Sequence, residues 1–198
     1  MPKRTNAATI SGANVYLRPP RRSDEAAFLA AARRSRTLHG QWTRAPATAE
    51  RFALFVQRYA PRGQPAAHAG YLVYRHDDDA LVGGFSFSEI VRGAFQSAYL
   101  GYYAFVPHAG GGLMTEGLAL SLDVAFRSLA LHRVEVNIQP TNVRSIGLVE
   151  RVGFAREGYS RRYVKIAGRW RDHIRYAMLA EDWRKLRREF RSGRARPD

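Results

Sequence analysis

The chain has 198 residues, the length of a single domain with one substantial core. A hydrophobic fraction of 45% and an aromatic fraction of 12% are those of a folded globular protein and exclude wholesale disorder. The absence of cysteine excludes disulfides, thiolate metal sites and a cysteine nucleophile, and it fits a cytoplasmic localisation. No stretch approaches the roughly 20 apolar residues of a membrane span, so we predict neither membrane association nor a secretory signal.

The net charge is strongly positive. The chain has 32 basic and 17 acidic residues, a formal charge of +15. A field of this sign attracts polyanions and phosphorylated ligands, so nucleic acid, a ribosome and a phosphate-bearing cofactor all fit as partners. The last fifteen residues, 184–198, are especially basic and are predicted to form a C-terminal tail.

The hydrophobic pattern predicts one α+β domain over residues 14–183, preceded by a loose tail at 1–13. Its elements follow the order β-α-α-β-β-β-α-β-α-β-β, which mixes hairpins with strand–helix–strand crossovers. We therefore expect a mixed, mostly antiparallel sheet of about seven strands with about four helices. Strands are predicted at 14–18, 70–75, 80–90, 98–106, 133–138, 156–166 and 169–179. Helices are predicted after caps at Ser23 and Thr48, at about 113–130, at about 142–152 and, as a basic closing segment, at 181–191.

Several catalytic classes lack their motifs. The six histidines include no i, i+4 pair, so a zinc protease is poorly supported and we predict no metal. No lysine follows a glycine, so the chain lacks the Gly-Lys-Ser/Thr motif of the P-loop, and P-loop NTPases are excluded. There is also no Gly-x-Ser-x-Gly elbow, so covalent catalysis has no obvious place in this chain.

The segment 109–115, Ala-Gly-Gly-Gly-Leu-Met-Thr, stands between a predicted strand and the longest predicted helix. Consecutive glycines leave backbone N–H groups uncovered, and a helix N-terminus favours an anion, so the loop suits a phosphate or pyrophosphate. The alternative interpretation is a flexible turn that only enters the helix. A dinucleotide fingerprint fits poorly, since Thr115 stands where its third glycine belongs.

A second motif begins at Asn142, which can cap the short helix, with Ser145 one turn on and a terminating Gly153. The ordered set of strand, glycine loop, long helix, strand and Asn-x-x-Ser helix ending in Gly-Phe resembles the GNAT superfamily of acyl-CoA N-acyltransferases. The stretches LRPPRRSDEAAFL, SRTLHGQW, IVRGAFQSAYLGYY, GLMTE and EGYSRRYVKIAGRWRDHIRYAML are similar to the bacterial ribosomal-protein alanine N-acetyltransferase branch.

The resemblance implies a GNAT-like sheet in which two central strands splay apart to admit the pantetheine arm of acetyl-CoA. It places Phe105 and Val106 against that arm. Ala109 falls at the usual Arg or Gln position of the loop, so the pyrophosphate is expected to bind the backbone amides instead. The residues implied to bind acetyl-CoA are Phe105, Val106, Gly110, Gly111, Gly112, Leu113, Met114, Thr115, Asn142 and Ser145.

Direct attack by an amine requires removal of an ammonium proton and protonation of the departing thiolate. The resemblance makes Ser145 the first choice for the second task, with an ordered water as the fallback. Glu89 is one candidate for the base, and a water chain to the strand backbone is another. Related proteins place a carboxylate where this chain has Arg162, so that role does not transfer directly.

The acceptor site is implied to include Trp42, Tyr103, Arg162 and Asp172. Trp42 and Tyr103 fit equally well as core aromatics, and Asp172 also fits a structural ion pair with Arg171 or Arg175. The expected function is acetyl transfer from acetyl-CoA to the N-terminal alanine amine of a ribosomal protein. The alternatives are a small amine or antibiotic as acceptor, or an assembly factor that binds RNA or the ribosome. We also expect the basic tail to contact ribosomal RNA, since each phosphate contact releases counterions.

Overall fold

The computed structural model describes residues 10–59 and 67–191. Its strands form one eight-stranded sheet, in which every neighbouring pair is antiparallel except β5 and β6. The strands are β1 (Ile10–Ser11), β2 (Val15–Arg18), β3 (Ala69–Arg75), β4 (Leu81–Val91), β5 (Ser97–Ala104), β6 (Arg133–Ile138), β7 (Ala155–Ile166) and β8 (Arg169–Leu179). Their order is β1-β2-β3-β4-β5-β6-β8-β7. The predicted α+β class and mixed sheet are confirmed.

The described residues form six α-helices, and the short α2 is the one that the sequence did not predict. They are α1 (Glu25–Arg34), α2 (Arg36–His39), α3 (Ala49–Tyr59), α4 (Leu113–Asp123), α5 (Val143–Val152) and α6 (Ala180–Arg191). Thr48 caps α3, as predicted, because its hydroxyl accepts the backbone N–H of Arg51 at 3.3 Å. Ser23 does not cap α1. It lies inside a 3₁₀ turn, and the buried carboxylate of Asp24 accepts the Arg21 N–H there.

The predicted tails differ from the structure at both ends. Ile10 and Ser11 pair with β2, so the sheet begins within the predicted tail 1–13, of which residues 1–9 lie outside the described part. At the other end α6 continues the domain to Arg191, and its residues Leu186 and Phe190 pack against the main core. The predicted tail 184–198 is therefore partly a packed helix, and residues 192–198 lie outside the description.

The two faces of the sheet carry separate hydrophobic clusters. The larger one lies beneath α4, α5 and α6 and is centred on residues such as Leu118, Leu122 and Val149, all fully buried. The smaller one lies beneath α1 and α3 and contains Phe28 and Phe52 in aromatic contact at 4.8 Å. Alternation of side chains along each strand sends residues to one cluster or the other, which matches the buried–exposed pattern of β6. We call these the α4 face and the α1 face.

The central parallel pair diverges. β5 and β6 are paired only from Ser97 with Arg133 to Tyr99 with Glu135. Beyond that point β5 stays bonded to β4 as far as Ala104, while β6 stays bonded to β8 as far as Ile138. The strands therefore open into a gap whose wide end faces the glycine loop, and the splay implied by the resemblance is confirmed.

No helix within residues 10–59 and 67–191 combines the length and the apolar character that crossing a membrane would need.

Candidate active site

The free edge of β5 forms one wall of the gap. The N–H of Phe105 donates to the Val82 carbonyl on β4 at 2.7 Å, and this bond fixes the alternation of the strand. The backbone groups of Tyr102 and Ala104 consequently face away from β4, into the gap. The Tyr102 backbone and the Ala104 N–H can bond an extended ligand in place of β6, whereas the Ala104 carbonyl is already bonded to His39.

The expected side-chain contact of Phe105 is not what the structure shows. Its ring is fully buried in the smaller cluster and packs on Phe28 at 5.4 Å. The N–H of Val106 donates to the Ser35 hydroxyl at 3.0 Å, and the His39 imidazole donates to the Ala104 carbonyl at 2.8 Å. Phe105 and Val106 therefore anchor the end of β5 to α1 and α2, and the edge backbone lines the gap.

The glycine loop has the geometry of an anion site. Gly110 and Gly112 have φ values of +95° and +76°, and a Cβ placed at either would meet open space. Gly112 immediately precedes α4 and supplies no side-chain cap, so the first-turn amides of Leu113 and Met114 have no intrahelical partner. An open cradle of amides at a helix N-terminus fits the pyrophosphate of acetyl-CoA.

Three of the predicted loop residues take narrower roles. The N–H of Thr115 donates to the Gly112 carbonyl at 2.9 Å, so it serves the turn rather than a ligand. The side chain of Met114 is buried over Gly83 of β4, where an added Cβ would approach its sulfur to 2.7 Å. Leu113 packs against the main core. The backbone amides of Leu113 and Met114 are therefore the groups of this segment that can bind the pyrophosphate.

Ser145 lies at the N-terminal end of α5 and reaches the α4-face side of the gap. The Oδ1 atom of Asn142 accepts the Ser145 N–H at 3.3 Å, so Asn142 acts as the helix cap. The Ser145 Oγ atom is 2.6 Å from the hydroxyl of Tyr102, and the Ser145 carbonyl is 3.2 Å from that hydroxyl. Tyr102 belongs to the diverging part of β5, so this pair links the helix to the free strand edge.

Sequence reasoning missed Tyr102. Burial raises the pKa of its hydroxyl, which stays protonated at neutral pH. The signal available in the sequence was the alternation of β5, which places Tyr102 on the same face as Leu100, opposite the face of Tyr103. Its contact with α5 depends on a crossover that the sequence does not reveal.

Glu89 is not brought to Ser145. It lies where the pairing of β4 with β5 shifts between Ser88 and Val91, with φ of +49° and an exposed side chain. Tyr102 pairs with Phe85, four residues earlier, which is about 13 Å along an extended strand. The structure therefore separates the predicted base from the predicted acid.

Asp172 makes hydrogen bonds that stabilise the β7–β8 hairpin. Its carboxylate accepts the Tyr159 hydroxyl at 2.6 Å and the Arg162 N–H at 2.7 Å. These hydrogen bonds hold the pKa of Asp172 below its usual range, and the bond from Tyr159 has the largest effect. Neither predicted arginine partner is the one observed. Asp172 thus pins the irregular part of β7, where Arg162 adopts φ of +49° with an exposed side chain.

Tyr103 and Trp42, the two aromatic residues predicted to line the acceptor site, lie in different environments. Tyr103 packs edge-on against Phe28 at 6.0 Å, and its hydroxyl lies over Gly84, so it is a core aromatic of the smaller cluster. Trp42 is half-buried, and its backbone N–H donates to the His39 carbonyl at 3.0 Å. Because His39 also contacts the end of β5, Trp42 stays near the mouth of the gap on the α1 face.

The α1 face of β6, β7 and β8 carries a polar surface next to the gap. Arg133 donates from Nε to Glu135 at 2.7 Å and from Nη1 to Glu157 at 2.9 Å. The hydroxyls of Tyr99 and Tyr163 are 3.2 Å apart, and this hydrogen bond together with burial raises the pKa of Tyr99 to about 12. This surface was not identified from the sequence.

His173 belongs to the same surface and is buried. Its Nδ1 lies 3.0 Å from the Arg171 carbonyl oxygen, to which it can donate. Burial lowers the pKa of His173, which favours a neutral imidazole at pH 7. Within the described part of the chain, no three His, Asp or Glu side chains are grouped so that they could hold a metal ion.

Comparison with known proteins supports this geometry. Residues 14–155 match the family model of the acetyltransferase (GNAT) domain. The chain is 34% identical over 177 residues to the Probable N-acetyltransferase YjcK of Bacillus subtilis, an alignment that covers 87% of this chain and 98% of that protein. It is 40% identical over 107 residues to the [Ribosomal protein uS5]-alanine N-acetyltransferase of Escherichia coli, covering 54% of this chain and 55% of the relative.

The structure of Mycobacterium smegmatis RimJ in complex with CoA-disulfide superimposes with a TM-score of 0.81 at 28% identity. The match covers 91% of this chain and 90% of that one. That neighbour is a complex with CoA in disulfide form. With its splayed strand pair, its glycine loop at a helix N-terminus and the family match over most of its length, the chain belongs to the GNAT acetyltransferase family and is an acetyl-CoA-dependent N-acetyltransferase.

Proposed function

We propose that the acceptor is the N-terminal α-amine of a protein, most specifically the N-terminal alanine of a ribosomal protein. The named activity of the Escherichia coli relative supports this choice. The observation that carries it is the pairing of Arg133 with two carboxylates of the α1 face, Glu135 on β6 and Glu157 on β7.

Such a surface suits a singly charged amine better than a polycation. The hydrogen bond from Arg133 holds the pKa of Glu157 below its usual range, so this carboxylate stays ionised and occupied. A polyamine requires several free carboxylates to replace its hydration. On the α1 face a polyamine would instead meet Glu135 and Glu157, two carboxylates that Arg133 already binds.

The acid–base chemistry of the acceptor points the same way. An α-amino group has a pKa of about 8, whereas a lysine or polyamine nitrogen has one of about 10. Near neutral pH about a tenth of an α-amine is already the free nucleophile, compared with well under a hundredth of a lysine amine. An α-amine therefore needs only weak base assistance, such as a water chain, and Glu89 is not required beside Ser145.

The remaining tasks fall to residues of the gap. When bound, acetyl-CoA supplies the acetyl thioester. The amides of Gly112 to Met114 hold the pyrophosphate, and the edge backbone of Tyr102 and Ala104 aligns the pantetheine arm. The Tyr102 and Ser145 hydroxyls share a hydrogen bond in which either can be the donor. Ser145 protonates the departing thiolate in the arrangement where Tyr102 donates to its Oγ atom.

Thiol release from acetyl-CoA tests the proposal. The substrates are peptides with an N-terminal alanine, the same peptides with a blocked N-terminus and an internal lysine, and spermidine. We expect turnover of the free N-termini alone. Preferential turnover of spermidine or of a small amine would instead support the alternative acceptor class. RNA binding without turnover of any amine would support an assembly factor. Cytoplasmic localisation stays a prediction.

A further inference from the structure

Among the described residues, several buried side-chain atoms make no hydrogen bond, and the Oδ1 atom of Asn137 is one of them, beside the gap. Asn137 is on β6, two residues beyond Glu135, where pairing with β5 ends. Its neighbours Val136 and Ile138 belong to the main cluster under α4 and α5, so Asn137 lies on the opposite, α1 face. Its Oδ1 atom is buried and makes no hydrogen bond within the described residues.

Its cross-strand neighbour does not satisfy it. Arg175 on β8 lies directly opposite Asn137. The guanidinium of Arg175 instead lies over Gly158 of β7, where an added Cβ would approach Nη2 to 3.0 Å. The Nε atom of Arg175 is also buried without a partner. A buried carbonyl oxygen without a donor is costly, and a ligand that supplies an N–H would remove that cost.

The position of Asn137 complements that of Ser145. Ser145 contacts Tyr102 from the α4 face of the sheet, and Asn137 lies on the other face of the same opening. An amine that attacks a thioester held in this gap must approach from the face opposite the glycine loop and α5. Asn137 is a residue of β6 on that face, just beyond the point where β5 and β6 part.

We propose that Asn137 is an acceptor-binding residue, whose Oδ1 accepts an N–H of the attacking amine and orients its lone pair toward the thioester. This inference rests on the proposed acetyl transfer to an amine. A neutral amide suits the task, because an aspartate at this place would stabilise the ammonium form and hide the lone pair. Because Asn137 would bond only the amine N–H, its role does not depend on the rest of the acceptor molecule.

The test compares wild type with Asn137→Ala, Asn137→Asp and the same-face control Ser160→Ala, using acetyl-CoA and whichever amine wild type acetylates. Asn137→Ala should lower kcat/KM for the amine about tenfold or more, since one hydrogen bond to the acceptor is lost, with the Kd for acetyl-CoA unchanged. Asn137→Asp should shift the pH–rate profile to higher pH. Ser160→Ala should match wild type.

Thermal unfolding provides a readout that needs no acceptor. Asn137→Ala removes an unsatisfied buried oxygen, so its Tm should equal or exceed that of wild type. A lower Tm, or unchanged amine kinetics in the alanine variant, would overturn the assignment. Failure of wild type to acetylate any amine would count against the proposed function, whereas the Tm comparison would still decide whether the Asn137 oxygen is unpartnered.

Discussion

The hydroxyl of Tyr102 and the Oγ atom of Ser145 lie 2.6 Å apart across the opening between β5 and α5. The tyrosine sits at the free strand edge, and the serine sits in the first turn of a helix capped by Asn142. Burial raises the pKa of Tyr102, so its hydroxyl stays protonated. Either hydroxyl of the pair can donate to the other, and the Tyr102 hydroxyl also lies 3.2 Å from the Ser145 carbonyl. For Ser145 to protonate the thiolate, Tyr102 must be the donor in this pair.

Ser145→Ala should lower kcat more than it changes KM, because its proton is needed only as the thiolate departs. A general acid contributes about 10²- to 10⁴-fold, so a loss in that range is expected. Tyr102→Phe removes only the orienting bond and should cost about tenfold. Steady-state kinetics of both variants and the double variant measure this. Fully additive losses would contradict a coupled pair, and an unchanged kcat in Ser145→Ala would exclude Ser145 from the mechanism.

Gly112→Val should raise the Kd for acetyl-CoA, because a branched side chain at φ of +76° deforms the turn and enters the amide cradle. Gly168 provides the matched control. It has φ of +82° in the β7–β8 turn and equally open surroundings, so Gly168→Val carries similar backbone strain away from the site. Isothermal titration calorimetry with CoA measures the Kd of each variant and distinguishes a local effect at Gly112 from general backbone strain. Equal affinities in both variants would show that the loop does not hold the pyrophosphate.

Asp24 should make folding pH-dependent. Burial would raise the pKa of Asp24, but hydrogen bonds from Arg18 at 2.7 and 2.9 Å and from the Arg21 N–H hold it below its usual range. A folded-state pKa below the unfolded value of about 3.9 stabilises the protein at higher pH, and this contribution is lost as pH falls through the folded pKa.

Urea denaturation of Asp24→Asn tests this contribution. At pH 7 the variant should lose about 3 kcal/mol, the cost of leaving the partly buried Arg18 guanidinium without its carboxylate. The difference from wild type should shrink below about pH 4, where Asp24 of the unfolded chain binds a proton, and should vanish once pH falls below the lower pKa of folded Asp24. Asp77→Asn, at an exposed position, serves as the control. A difference that stays constant down to pH 2 would contradict the ion-pair origin.

The exposed cations of α6 should mediate ribosome contact. Arg184, Lys185 and Arg188 are exposed, whereas Trp183 is buried and Arg187 pairs with Asp123 at 2.6 Å. Truncation at residue 184 would therefore remove packed structure together with charge. Replacing the three exposed cations by glutamine should leave peptide turnover intact and weaken association with ribosomes or precursor particles.

The salt dependence of that association identifies its origin. If the three cations of α6 each contact a phosphate, the slope of log affinity against log salt should fall by about 2 to 3 in the triple variant. Replacing Arg33, Arg34 and Arg36 with glutamine removes the same charge from exposed positions near α1 and makes a suitable comparison. Equal binding by wild type and the α6 variant would identify α6 as merely a solvated helix.

The sequence by itself determined the elements that local chemistry controls. Alternation marked β6 with its buried Val134 and Val136, and consecutive glycines marked an uncovered helix N-terminus at Gly112. Asn142 has the residue type and spacing of a helix cap, and it is one. These features depend on neighbours within one or two turns, so the family and the cofactor could be inferred before any contact was known.

Only the tertiary structure decided which side chains meet. Tyr102 reaches Ser145 from 43 residues away because β5 and α5 border the same gap. Glu89, on the strand next to β5, lies too far along it to join them. Asn137 is left without a partner because β5 diverges and Arg175 leans over Gly158. Strand divergence is a property of the whole sheet, set by the packing on both faces, and no local pattern records it.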